Sequence, residues 1–197
     1  MVNLATNEGD PLGNMVVSPA ILFRNGRYRM WYVNSESRTY RELSYSESTD
    51  GRQWSTQKKC ILKGLENMPW HIDVNYIDGK YYLLSYDFTD ITLWESNDGT
   101  TFSHISKLLE PSVTGSFYSD GLYRACIIKD TDFKIYFSSN DVQKTYIGLM
   151  SGENISNLKI SSKEKHKTFV SLINYICVKK WISIKFITNR LFKRIQK

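Results

Sequence analysis

The chain has 197 residues, 41% hydrophobic and 14% aromatic, with 26 Lys and Arg against 20 Asp and Glu, enough for one ordinary domain with a real core. The net charge of +6 is lopsided: residues 159–197 hold eleven Lys or Arg and the single acid Glu164, which leaves residues 1–158 at about −4. A mildly acidic body with a basic tail argues against a nucleic-acid-binding core and confines any attraction to phosphates or anionic lipid to the last forty or so residues.

One strand pattern recurs about every 52 residues, over residues 18–32, 71–85 and 123–137. Each copy opens on a short apolar run and turns at Asn25-Gly26, Asp78-Gly79 or Asp130-Thr131-Asp132. It then resumes with alternating aromatic and polar residues, so that Tyr28, Tyr81 and Phe133 superpose. Asn, Asp and Gly accept the positive φ of tight hairpin turns, so each copy predicts a hairpin. A third strand is predicted at 43–48, 92–96 and 145–150. The first two run into Ser48-Thr-Asp-Gly-Arg-Gln-Trp54 and Ser96-Asn-Asp-Gly-Thr-Thr-Phe102, which read as Asp-box turns.

Repetition at this period is the signature of a β-propeller, whose blades are copies of one sheet. Three copies fall short of the four that a closed ring needs, and residues 1–17 cannot hold another. The expected fold is therefore all-β, a partial propeller of about three blades over residues 1–158 that lacks N-terminal blades, followed by a basic extension at 159–197. Within it Tyr28, Trp31, Tyr32, Tyr45 and Trp54, with counterparts Tyr81, Leu84, Ser85, Leu93 and Phe102, are read as packing. Glu47 and Glu95 occupy equivalent places before the turns and are read as solvated strand residues, since a catalytic acid is needed once.

Residues 168–197 carry Phe169, Leu172, Ile173, Ile176, Trp181, Ile184 and Leu191 at three- and four-residue steps among basic residues. That spacing predicts an amphipathic helix, packed on the propeller or a partner, or lying on an anionic membrane surface, while the Ile and Val content leaves room for strand. No apolar run reaches membrane-span length, and residues 1–10 lack the features of a signal peptide, so the expected compartment is the cytoplasm. Cys60, Cys126 and Cys177 are odd in number and widely spaced, and read as buried thiols.

The chemistry is expected where the copies disagree, at the start of each inner strand. In register, Ser18 matches His71 and Tyr123, Pro19 matches Ile72 and Arg124, and Ala20 matches Asp73 and Ala125. His71 and Asp73 lie two apart and leave one strand face together. With Trp70 beside them they offer directional hydrogen bonds and an aromatic platform, which is what a sugar asks for. Asp73 is suited to general acid, general base or electrostatic work in glycoside cleavage; an equal reading has Asp73 and His71 bonding each other or backbone inside a blade. Arg124 is suited to clamp a ligand's carboxylate or phosphate, or to hold Asp73 ionised. No phosphate loop, zinc motif or serine-hydrolase motif is present, and nothing calls for a cofactor or metal.

The Ser18-Pro-Ala-Ile segment with Gly26-Arg-Tyr-Arg-Met-Trp-Tyr32, the Trp70-His-Ile-Asp-Val74 segment with Gly79-Lys-Tyr-Tyr82, and Leu122-Tyr-Arg124 with Lys134-Ile-Tyr136 resemble the five-bladed β-propeller glycosidases of glycoside hydrolase families 43, 32, 62 and 68. The resemblance covers roughly residues 16–156. It implies a five-bladed-type scaffold, carbohydrate as ligand, hydrolysis of O-glycosyl bonds, a place in bacterial polysaccharide metabolism, and inner-strand acids as catalytic groups. Asp73 is the inner-strand acid that matches; Ser18-Pro19 stands where the family often has Asp-Pro. Trp70, His71, Tyr123, Arg124 and Ser18 are then expected to bind substrate. Sialidase-like propellers share the Asp-box turns but use several arginines where this chain offers one. The alternative is a non-catalytic sugar-binding or assembly module whose basic tail binds membrane or a partner.

Overall fold

The structure, a computed structural model, describes residues 3–4, 15–35, 41–66, 69–110, 118, 121–140 and 144–160. Its described elements are all strands: β1 (Asn3–Leu4), β2 (Met15–Arg24), β3 (Arg27–Ser35), β4 (Arg41–Ser48), β5 (Gln53–Trp54), β6 (Lys58–Lys59), β7 (Ile61–Lys63), β8 (His71–Ile77), β9 (Lys80–Tyr86), β10 (Ile91–Ser96), β11 (Thr101–Leu109), β12 (Gly121–Lys129), β13 (Phe133–Asn140), β14 (Thr145–Gly152) and β15 (Lys159–Ile160).

They form three successive sheets, ordered β2-β3-β4-β6, β8-β9-β10-β11-β7 and β12-β13-β14-β15, plus a short parallel pair of β1 with β5. This is a partial propeller of three blades. Strand β7 leaves the edge of the first sheet and pairs in parallel with β11, so the chain itself straps the outer edges of sheets one and two together. The expected tail boundary at 158 falls just before β15, which pairs with β14. Residues 161–197 lie outside the described residues, and with them Cys177, the predicted helix and its membrane or partner contact.

The hairpin turns follow from residue chemistry. Asn25, Gly26, Asp78 and Gly79 all have positive φ, the primed turn that matches the twist of paired strands. The two Asp-box turns are alike in detail. The Asp50 carboxylate accepts hydrogen bonds from the N–H groups of Arg52 and Gln53, both at 2.8 Å, and Asp98 accepts from Thr100 at 2.7 Å and Thr101 at 2.8 Å. Those donors hold the Asp98 carboxyl down to about 2. Trp31 reaches from the first sheet to donate Nε1–H to the Gly99 carbonyl at 2.6 Å. These turns are scaffold, as are Glu47 and Glu95, which pair with Arg29 at 3.3 Å and Lys80 at 2.8 Å.

Between sheets one and two Trp31, Leu43 and Tyr45 pack on Val74, Tyr81, Leu83, Trp94 and Phe102. Between sheets two and three Leu84, Tyr86, Ile91 and Leu93 pack on Leu122, Ile127, Ile135, Phe137 and Met150. Every aromatic position assigned to packing is buried or half-buried. Cys60 fits its expectation, with burial pushing its thiol up to about 12. Cys126 does not: it is exposed.

The third inner strand corrects the predicted register by one residue. Tyr28 and Tyr81 pair with Phe23 and Tyr76, five positions back, whereas Phe133 pairs with Lys129, four back. The turn at 130–132 is one residue longer than the two Gly turns. Counted from these pairs, the counterpart of Ala20 and Asp73 is Cys126, not Ala125.

Candidate functional site

The inner strands β2, β8 and β12 lie side by side and wall a cavity of about 380 Å³ into which Ser18, His71, Asp73 and Arg124 all face. These residues come from three sheets and up to 106 positions apart, so the propeller stacking assembles the site. Tyr86, Cys126, Tyr136, Ser138 and Ile147 complete much of the wall.

Ser18 and Asp73 do one structural job at successive junctions. Ser18 Oγ accepts a hydrogen bond from the backbone N–H of Ile72 at 3.0 Å, and Asp73 Oδ2 accepts one from Ile127 at 2.9 Å. Asn75 adds a second tie by donating Nδ2–H to the Ile127 carbonyl at 2.9 Å. Ser18 itself has φ of 56°, at a bulge where β2 slips between Val17 and Ala20. Asp73 is thus partly engaged, and its burial raises its pKa against the opposing effect of the Ile127 N–H.

His71 is the most unusual group in the wall. It is 6% exposed, and neither ring nitrogen has a hydrogen-bond partner among the described residues. The ring lies parallel to Tyr86 with centroids 6.1 Å apart, and Tyr123 meets it edge-on at 4.5 Å. Burial, and secondarily the Arg124 charge, press its pKa to about 4, so at neutral pH it is an uncharged imidazole with one donor and one acceptor. Of the two structural alternatives for this pair, bonding to each other or to backbone, the structure shows the backbone one for Asp73, at the Ile127 N–H, and no hydrogen bond between His71 and Asp73.

The remaining predicted residues are placed as follows. Arg124 is exposed in the wall, its guanidinium 5.4 Å from the Tyr123 ring centre. Tyr123 is half-exposed and packs on His71 from outside the cavity lining. Trp70 also stands outside it: its ring is stacked on Phe88 at 5.2 Å and covered by the Arg41 guanidinium at 5.6 Å, so it supports His71 from behind. The residues that the repeat comparison missed are Tyr86 and Cys126. Tyr86 is the cross-strand partner of His71, a signal available from hairpin counting. Cys126 was hidden by the longer third turn. Among the described residues no cluster of His, Cys, Asp or Glu is placed to hold a metal ion.

Comparison with known proteins gives no matching family model and no matching curated protein. Solved structures do match. An N-acetylgalactosamine deacetylase from F. plautii, in complex with blood group B trisaccharide, superposes with a TM-score of 0.57 at 19% identity, over 77% of this chain and 47% of that one. A family 117 glycoside hydrolase from Zobellia galactanivorans gives 0.61 at 15% identity, over 74% and 54%. A family 32 β-fructofuranosidase from Bombyx mori gives 0.59 at 13%, over 75% and 34%. These likenesses establish the fold, a partial propeller of the kind these carbohydrate-active enzymes carry. The chain spans about half the length of the first two.

Proposed function

We propose that the axial cavity binds a carbohydrate, with Asp73 as its acid–base group. The observation that carries this is His71, a buried imidazole with both nitrogens unpaired, in a wall that also presents a carboxylate and a guanidinium. Leaving two buried polar atoms unbonded is costly, and a ligand hydroxyl that reaches one of the nitrogens reduces that cost. The aromatic edges of Tyr86 and Tyr136 suit the apolar face of a sugar ring. The shared fold with carbohydrate-active enzymes supports the same reading.

Asp73 has the character of a general acid, because burial favours its protonated form. Glycosidic cleavage by the usual route takes two carboxyl groups across the scissile bond. Asp73 is the only one in the cavity wall among the described residues, and that favours binding as what this chain does by itself. Hydrolysis in polysaccharide metabolism is the fuller role, reached when a second carboxylate is supplied.

Calorimetric titration of the full chain with a panel of neutral and acidic oligosaccharides, in parallel with a glycosidase assay, tests the proposal. Binding weakened at least about tenfold by His71→Phe and by Arg124→Ala is expected. Absence of binding across the panel, or binding indifferent to both changes, overturns it. Turnover that vanishes in Asp73→Asn while binding persists assigns the catalytic role.

A further inference from the structure

Phe88 sits in the connection between β9 and β10, in the sheet that packs on a neighbour at each side, so its exposure owes nothing to the sheets at either end. The residue is nonetheless 52% exposed, and its φ is 81°. Among the described non-glycine residues with positive φ, Asn25 and Asp78 turn hairpins and Ser18 marks a bulge. Phe88 has neither role, and a left-handed backbone is a true outlier for so bulky a side chain. The loop is built to hold it there. Asp87 Oδ1 accepts hydrogen bonds from the Thr89 N–H at 3.1 Å, the Thr89 hydroxyl at 2.6 Å and the Asp90 N–H at 3.2 Å. The buried Asp90 carboxylate is tied down in turn by Lys107 at 2.6 Å and the Thr92 hydroxyl at 3.0 Å. Strain of this kind persists only where the surroundings over-determine it, and it collects where a side chain is presented to a ligand.

The ring is fixed without being enclosed. Trp70 stacks on it with centroids 5.2 Å apart, and the Arg41 guanidinium lies 4.9 Å from its centre and 5.6 Å from that of Trp70. Three such separations close a nearly equilateral triangle, so Trp70 and Arg41 do not sandwich the ring from opposite faces. Tyr86 meets it at 65° with centroids 5.9 Å apart. Tyr86 in turn walls the axial cavity and is the cross-strand partner of His71. Phe88 thus stands one aromatic contact out from the cavity wall.

We propose that Phe88 is a stacking platform for a second sugar unit, next to the one held in the axial cavity, so that the ligand is an oligosaccharide or a chain end and not a single sugar. This rests on carbohydrate binding in that cavity. A sugar ring presents C–H groups on a face, which suits an aromatic surface. A ring already held by Trp70 and Arg41 loses little freedom when the ligand arrives. A site for one sugar gains nothing from a bulky side chain kept strained and solvated at its rim, where Gly or Asn would take the same φ more readily.

Calorimetric titration of the full chain with matched mono-, di- and trisaccharides of glucose, galactose, xylose and galacturonate tests it. In the series that binds, the disaccharide is expected to bind about three- to tenfold more tightly than the monosaccharide. Phe88→Ala should abolish that gain and Phe88→Trp should keep it. Binding that does not tighten from one unit to two, or a gain that survives Phe88→Ala, overturns the platform and leaves the cavity reading standing. An equal loss for single and longer sugars also overturns it, because the ring would then act only by supporting Trp70 and His71. Absence of binding by every saccharide overturns the cavity reading and the platform with it. Should Phe88→Ala lose its cooperative unfolding transition, Phe88→Gly, whose backbone accepts the φ of 81°, is read in the same way.

Discussion

Asp73 Oδ2 accepts the backbone N–H of Ile127 at 2.9 Å, so the one carboxylate that the described residues bring to the cavity wall also fastens the second sheet to the third. A residue with two duties separates them on mutation. Asp73→Ala leaves the Ile127 N–H without its partner and should destabilise the chain by about 1–3 kcal/mol. Asp73→Asn keeps an acceptor oxygen and should cost less than half as much. Denaturant unfolding of the two variants measures the difference; equal losses would show that the hydrogen bond contributes nothing beyond the charge.

Ser18 holds the preceding junction through Ile72, one sheet away and with no shared partner. Ser18→Ala should therefore cost about 0.5–1.5 kcal/mol. Combined with Asp73→Ala the losses should depart from additivity by about 0.5 kcal/mol or more, since Ser18 bonds the residue next to Asp73 and both wall one cavity. Strict additivity in the double variant would mean that the two fastenings act independently.

His71 makes stability depend on pH. Its ordinary pKa of 6.5 falls to about 4 in the folded chain through burial and then Arg124, so below pH 6.5 the unfolded chain takes up a proton that the folded chain refuses. Stability should fall as pH drops from about 6.5 toward about 4, by up to about 1.4 kcal/mol per pH unit, and this contribution levels off below that. Asp73 acts with opposite sign in the lower part of the window, because its raised pKa favours the folded state as it protonates. Thermal unfolding of His71→Phe across this range should show a shallower slope than the parent chain. An unchanged slope would refute the assignment.

Two glycines should respond differently to alanine. Gly148 faces Phe137 across β13 and β14, and an added Cβ would collide with the Phe137 ring, which is fully buried. Gly148→Ala should cost about 1–3 kcal/mol or more through overpacking. At Gly79 a Cβ meets nothing, and only the φ of 87° opposes it, so Gly79→Ala should cost about 1–2 kcal/mol. Urea unfolding ranks them; the reverse order would count against the packing of β14 on Phe137.

Much of this protein was legible in its sequence because propeller blades repeat their physics. The Asn-Gly and Asp-Gly turns, the aromatic positions from Tyr28 to Phe102, the scaffold role of Glu47 and Glu95, and the Asp-box turns depend on contacts within one sheet or with an equivalent neighbour, so they recur and can be recognised by comparison. His71, Asp73 and Arg124 stood out because they break that repetition, and the fold does bring them to one cavity. What local pattern could not show depends on a single residue of turn length and on which neighbour fills a space. The extra residue at 130–132 put Cys126, not Ala125, in line with Asp73; Phe88 and Arg41 took the face of Trp70 that seemed open; and Ile147, by type an ordinary core residue, is exposed because no described sheet follows the third. Strand phase and cover are set by the whole stack, so only the tertiary structure decides them.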